Sequence, residues 1–313
     1  MGSVEPMLAS PLPRGGSLPA GSDWVYEVKW DGARVLADTR SGELRLLSRT
    51  VRDVTGTFPE LAGLASIQAG VLDGEVVATA GGAPSFGALA ERLQVKQDRQ
   101  ARRLAERVPV TYVVFDVLAL YGVDLTGHRL TERRATLERL TLPPRCILSP
   151  VYDDGTALWA ATRREDLEGV VAKRRDSVYR PGTRSRDWVK AAHRRTRRAI
   201  VGGWRPESSG SGQLGSVLLG APSPAGLRFL GSVGSGLTGP LAAELMGRLA
   251  PLRTEASPFA DDVPPAQARG CTWIDPAVAV EVSYLTRTES GRLRHPVLLG
   301  LRENSAPDGW EVP

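Results

Sequence analysis

The sequence predicts an α+β protein of two domains, with antiparallel sheets and flanking helices over residues 1–195 and a small β-barrel over 196–313. Three observations carry that expectation. Short apolar, β-branched runs recur through the first part at Trp24–Val35, Val71–Thr79 and Val108–Leu125, with helix-spaced stretches between them. After a basic cluster, His193–Arg198, the texture changes to short strands divided by glycine-rich turns. The length, 313 residues, allows two separate cores.

Composition narrows the class. Apolar residues at 42% and charged residues at 24% are the proportions of a globular chain in water. There is no run of about twenty apolar residues, so a helical membrane protein is excluded. The start, MGSVEPMLASPLPRGG, lacks a basic-then-apolar leader, which implies a cytoplasmic protein. Cys146 and Cys271 lie too far apart in sequence for an all-cysteine zinc site, and a disulfide is not expected in a reducing compartment. The net charge of +5, carried mainly by arginine, suits a polyanionic partner, although richness in Gly, Ala, Arg and Leu also fits compositional bias.

In chain order, residues 1–22 read as an irregular lead-in rich in Pro, Gly and Ser. WVYEVKW reads as an alternating strand ended by the Asp31-Gly32 turn. That places Lys29 at a strand end, Glu27 on the same face and Arg34 just past the bend. A partly desolvated lysine is, once neutral, a nucleophile toward phosphorus or carbonyl centres; an edge strand with a solvated lysine is the plain alternative. VLADTR and ELRLLSR follow as paired strands, and Arg49 opens a loop that enters a helix at Pro59. In VLDGEVVAT a buried strand is expected to bend at Asp73-Gly74-Glu75, and residues 84–107 read as one surface helix with a charged outer face.

Further on, the near-continuous apolar run Val108–Leu125 reads as a core strand containing Phe115-Asp116, and Thr131–Leu140 as a helix with Thr131 as its N-cap. The densest stretch is EGVVAKRRDSVYRPGTRSRDWVK, residues 168–190. Glu168 precedes a short buried strand and Lys173 follows it; a carboxylate there suits a divalent ion and a lysine suits phosphate. The cluster HRRTRR reads as the hinge between domains, and residues 241–250 as the helix of the barrel.

Lys-Trp-Asp-Gly-Ala-Arg resembles the Lys-x-Asp-Gly-x-Arg motif of ATP-dependent DNA ligases, capping guanylyltransferases and RNA ligases. The later segments around Arg49, Glu75, Phe115, Glu168, Lys173 and Lys190 occur in the family's order. Similarity to the compact ligases of bacterial end-joining systems continues through VGGWRPE and GLRFLGSVGSGLT to HPVLLGLREN. The resemblance thus covers nearly the whole chain. It implies an adenylation (nucleotidyltransferase) domain followed by an OB-fold, with ATP and Mg²⁺ or Mn²⁺ as cofactors. It makes Lys29 the nucleophile that carries AMP. Glu27 is assigned to the adenine edge, Arg34 to the nucleotide or nick phosphate, Arg49 to the sugar and DNA, and Phe115 to stacking on the purine. Glu75 goes to the ribose and the metal, Glu168 to the metal, and Lys173, Lys190 and Arg302 to the phosphates. The implied partners are nicked double-stranded DNA and the end-binding and polymerase proteins of end joining. The implied state is a monomer at the bacterial nucleoid.

The sequence departs from the family's pattern twice. Trp188-Val189-Lys190 is followed by Ala191-Ala192 where the family usually has a second lysine, and Arg302-Glu303-Asn304-Ser305 replaces the usual Arg-x-Asp-Lys. Each lost charge-assisted contact, about 1.5 to 3 kcal/mol, slows self-adenylylation by about one to two decades. Other readings are an RNA ligase or capping-type enzyme, and a ligase-like nucleic-acid-binding protein that has lost catalysis. An NAD-dependent ligase is disfavoured because the four-cysteine zinc module is missing.

Overall fold

A computed structural model describes residues 5–13, 15–80, 83–95, 97–207, 213–288, 290–302 and 306–311. The chain divides into two compact units, Met1–His193 and Arg194–Pro313. Among the described residues no helix is long and apolar enough to cross a membrane.

Two sheets build the first unit. One runs in the order Leu8–Pro11, Arg184–Ala192, Gly169–Arg174, Trp24–Val28, Val151–Tyr152. The other runs Arg45–Ser48, Ala33–Asp38, Val71–Ala80, Val110–Leu120, Val123–Asp124, with Ala83–Pro84 and Cys146–Leu148 added at its sides. The interior ladders are antiparallel, as the alternating strands lead one to expect. Two pairings are parallel: Leu8–Pro11 with Arg184–Ala192, and Val110–Leu120 with Cys146–Leu148.

The outer face of the first sheet buries Tyr26, Val28, Val170 and Ala172 against Leu158 of the helix Gly155–Arg164. Asp154 caps that helix by accepting from the backbone N–H groups of Thr156 and Ala157, both at 2.9 Å. The outer face of the second sheet packs Val76, Ala78, Tyr112 and Val114 against Leu61, Leu64, Leu89 and Leu137. Between the sheets, Met7, Tyr179 and Trp188 meet Leu36, Leu47, Val71 and Leu118 in a further apolar cluster.

The Asp31-Gly32 step does not fold the chain back on itself. It carries the chain from one sheet to the other, so Trp24–Val28 and Ala33–Asp38 are not partners. The glycine is required by proximity: a Cβ at Gly32 would sit 2.3 Å from the carbonyl oxygen of Val76. Asp73-Gly74-Glu75 likewise makes no bend but lies inside the continuous strand Val71–Ala80. Gly74 is there because the Tyr112 ring fills the space of its missing side chain, 2.6 Å from where a Cβ would be.

Other expectations are also corrected by packing. Residues 84–107 form two helices, Phe86–Leu93 and Asp98–Arg107, and Arg92 of the first is buried, not on a charged outer face. Its guanidinium holds both oxygens of Glu60 and the carbonyls of Thr57 and Val108. The helix expected to be capped by Thr131 begins at Leu130, and the Glu132 carboxylate accepts from the Arg129 backbone N–H at 2.8 Å.

The second unit holds one six-stranded sheet in the order Gly226–Val233, Leu214–Ser223, Arg195–Pro206, Thr272–Tyr284, Arg253–Thr254, with Val297–Leu301 paired to Thr272–Tyr284. The helix Gly239–Leu249 places Leu245 and Leu249 in its core. The basic cluster read as a hinge is mostly strand: Arg195–Arg198 pair with Glu281–Tyr284, and Arg197 is buried.

Candidate active site

The crossing between the two sheets puts Lys29 at the head of a cleft of about 250 Å³. Strand periodicity explains what faces it. On the first sheet, Glu27 and Lys29, Val171 and Lys173, and Trp188 and Lys190 share one face, aligned by the registers Val171↔Glu27, Val171↔Lys190 and Lys173↔Trp188. The second sheet contributes Arg34 and Glu75, which lie opposite each other, together with Phe115. Arg49 and Arg184 complete the cleft as exposed cations.

The Lys29 ammonium is ion-paired with the Glu168 carboxylate, and both side chains are mostly shielded, at 21% and 11% exposure. The backbone N–H of Lys29 donates to the Gly169 carbonyl at 2.9 Å, which fixes the lysine beyond the end of its strand. Lys173 is buried, 2.6 Å from Glu27 Oε1, with its ammonium 4.4 Å from the ring centres of both Phe115 and Trp188. Burial raises the carboxyl pKa of Glu27, and the Lys173 charge opposes that rise. Phe115 and Trp188 meet edge to face, with centroids 6.2 Å apart.

Arg34 lines the cleft with its fork already engaged. Its Nε and Nη2 donate to the two oxygens of buried Asp73 at 2.9 and 2.6 Å, and the Tyr179 hydroxyl donates to the same Asp73 at 2.6 Å. Met7 closes the chain by donating its backbone N–H to the Tyr179 hydroxyl oxygen at 2.9 Å. Burial pushes Glu75 up to about 8, against the charges of Arg34 and Lys29 and with those of Glu168 and Asp73. Lys190 is pulled below the ordinary lysine value, first by burial and then by the like charges of Lys29, Arg184 and Arg49.

Of the residues singled out in the sequence, Glu27, Lys29, Arg34, Arg49, Glu75, Phe115, Lys173 and Lys190 all line this one cleft, and Glu168 touches it through Lys29. Ala192 sits opposite Gly169, two residues from Lys190 and on the same face. A lysine there would have pointed to the same side. Arg302 belongs to the second unit, where it pairs with Glu281; Glu303, Asn304 and Ser305 lie outside the described residues. Sequence reasoning gave no role to Asp73, Tyr179, Trp188 or Arg184. Tyr179 and Trp188 stood in the sequence only as members of the dense stretch 168–190, and Arg184 carried no local signal.

The donor set suits a nucleotide with a divalent ion. Mg²⁺ is usually held through one or two carboxylates plus substrate phosphates. Glu75 and Glu168, with the phosphates of a bound nucleotide, match that pattern. Among the described residues no group of three or more acidic, histidine or cysteine side chains makes a protein-only metal cage.

Residues 6–191 match the family model for the ATP dependent DNA ligase domain, and residues 210–305 the model for the ATP dependent DNA ligase C terminal region. The chain is 41% identical over 292 residues to the multifunctional non-homologous end joining DNA repair protein LigD of Mycobacterium tuberculosis, covering 91% of this chain and 37% of that protein. It thus spans well under half the length of that relative. DNA ligase C of the same organism is 33% identical, with 94% of this chain and 88% of the relative covered. The crystal structure of the ligase domain from M. tuberculosis LigD is 39% identical and covers 97% of this chain and 96% of that one, at a TM-score of 0.54.

Proposed function

The chain belongs to the ATP-dependent DNA ligases, and on that premise we propose that it seals 5′-phosphate/3′-hydroxyl nicks in double-stranded DNA through an AMP carried on Lys29. Its setting is end-joining repair, as a cytoplasmic monomer acting on nucleoid DNA beside end-binding and polymerase proteins. The observation that supports this best is the position of Lys29. It stands in the segment that joins Trp24–Val28 of one sheet to Ala33–Asp38 of the other, in a cleft that collects cations for phosphates, carboxylates for an ion and two aromatic rings.

In the first step Lys29 Nζ attacks the α-phosphorus of ATP. The N–P bond forms, the bond to pyrophosphate breaks, and pyrophosphate leaves with the electron pair. Glu168, in contact with Nζ, is the acceptor at hand for the proton the amine must lose. Phe115 and Trp188 wall the space for the purine, with Glu27 at its edge. Lys173 and Lys190 neutralise charge on the phosphates. Glu75 and Glu168 would hold a Mg²⁺ or Mn²⁺, which supplies further neutralisation of phosphate charge. AMP then passes to the nick 5′-phosphate, and the 3′-hydroxyl displaces it as the strand is joined.

The test is to incubate the protein with α-labelled ATP and Mg²⁺ or Mn²⁺, denature it, and look for label on the protein band. A band is expected for the native chain and none for Lys29→Ala. Sealing of a nick from ATP by Lys29→Ala would overturn the assignment. If Ala192 and the changed residues after Arg302 have slowed only the first step, a pre-adenylylated nick is still joined. Parallel DNA and RNA nicks separate a DNA ligase from an RNA-joining enzyme.

A further inference from the structure

Glu168 has to stand in one place beside Lys29, yet it lies in a connection, between the helix Gly155–Arg164 and the strand Gly169–Arg174. A connection is looser than the elements it joins unless its backbone groups are held. Here three consecutive residues are held. The Leu167 N–H donates to the Thr162 carbonyl at 2.8 Å, the Glu168 carbonyl accepts from the His193 N–H at 2.8 Å, and the Gly169 carbonyl accepts from the Lys29 N–H at 2.9 Å. Two of the three anchors, Thr162 and His193, are in turn joined to each other through their side chains.

Thr162 is buried in the last turn of its helix. Its hydroxyl oxygen lies 2.9 Å from the Leu158 carbonyl, 3.1 Å from the Trp159 carbonyl and 2.9 Å from His193 Nε2. A hydroxyl has one proton, and the carbonyls, which can only accept, take it. His193 Nε2 must therefore carry a hydrogen and donate to Thr162. The imidazole also lies against the Trp159 indole, with ring centroids 3.8 Å apart. His193 comes directly after the strand Arg184–Ala192, where a ladder bond frays without a side-chain anchor. With the ring pinned, the contacts close a loop: Thr162 to Leu167, along the chain to Glu168, across to His193 and back to Thr162.

We propose that Trp159, Thr162 and His193 form a clip that positions Glu168 against Lys29. This rests on the ligase reading above and adds to it three positioning residues that do not line the cleft. The Glu168 carboxylate has to meet Lys29 Nζ as the N–P bond forms, and a displacement of about 1 Å at such a point costs up to about a hundredfold in rate. The clip acts on the transfer to Lys29 and not on the binding of ATP, because none of its members faces the nucleotide space.

The test is the rate of Lys29 labelling by α-labelled ATP, read together with hydrogen exchange at the residue 193 amide, on the full chain. His193→Ala is expected to lower kcat for labelling about tenfold with KM for ATP kept. Its residue 193 amide should exchange about fivefold faster, the worth of one hydrogen bond. His193→Gln, whose amide nitrogen reaches the place of Nε2, is expected to recover most of both. His193→Asn, whose amide stops at the place of Nδ1, should recover neither. Thr162→Val keeps the side-chain shape and removes the acceptor, so it should match His193→Ala. The double variant Thr162→Val/His193→Ala should be no slower than either single one, since all three lose the same bond. Equal labelling by the Gln and Asn variants, additive losses in the double variant, or faster exchange with labelling unaltered overturns the clip. Absence of label on the native chain strikes instead at the ligase reading, while exchange at residue 193 still tests the clip.

Discussion

Two buried ion pairs in the first unit look alike on a list of contacts and differ in what they leave unspent. Arg133 and Asp116 are both fully buried. Arg133 Nε and Nη2 each meet one Asp116 oxygen at 2.8 Å, and Nη1 donates to the carbonyls of His128 and Ser177. Nothing there has capacity left for a ligand. Lys173 and Glu27 are almost as buried, but the lysine meets a single carboxylate oxygen and otherwise ring faces. An ammonium has three donors, so this pair keeps donors in reserve beside an open cleft. A saturated buried pair holds the fold, whereas an unsaturated one beside a cavity is prepared for a substrate.

The sharpest way to break that contrast is to cut each cation to methionine. Arg133→Met strands a buried carboxylate and is expected to cost about 3 to 5 kcal/mol in urea unfolding. Lys173→Met is expected to cost less than half of that, because Glu27 is already shifted upward and readily takes a proton. Its labelling by ATP should instead fall by about one to two decades, the worth of a charge-assisted phosphate contact. Equal stability losses with unchanged labelling would erase the distinction.

A second measurement uses pH. Glu75 has a folded value of about 8, above its usual 4.5, so the folded state binds the extra proton between those values. Its contribution to stability is therefore fully present below about pH 4.5 and lost as pH rises through 8. The native chain should lose melting temperature across that window relative to Glu75→Gln. Parallel curves for the two proteins would mean that Glu75 is ionised in the fold.

The smallest expected effect concerns Tyr179. Burial holds its hydroxyl pKa well above the ordinary value, so it remains a donor to Asp73. Tyr179→Phe removes that bond and the acceptor for Met7, a loss of about 2 kcal/mol in stability. If Asp73 and Arg34 form a cleft wall that depends on this hydroxyl, KM for ATP should also rise. Loss of stability with KM unchanged would make Tyr179 purely structural.

Much of the candidate site was legible because it is written in short local patterns. Lys29 is framed by an apolar strand and an Asp-Gly step, Glu168 and Lys173 flank one buried run, and Trp188 and Lys190 share a face two residues apart. Period-two alternation tells which of these side chains point together. Where the sequence misled, a glycine or a charge served a distant neighbour. Gly32 and Gly74 read as turn formers, but they make room for the Val76 carbonyl and the Tyr112 ring. Arg92 read as a surface cation, but Glu60, more than thirty residues earlier, takes it inside.

The sequence by itself determined where the main strands of the first unit run, the change of texture near residue 195 and the residue types gathered around Lys29. Only the tertiary structure decided that two sheets meet at that lysine, that Arg34 is held by Asp73 and Tyr179, and that Arg184 reaches the cleft. Strand periodicity and turn chemistry act over a few residues, so they can be read from neighbours in the chain. Saturation of a buried charge depends on partners such as Tyr179 and Asp73, 106 residues apart, which only the closed sheets bring within bonding distance.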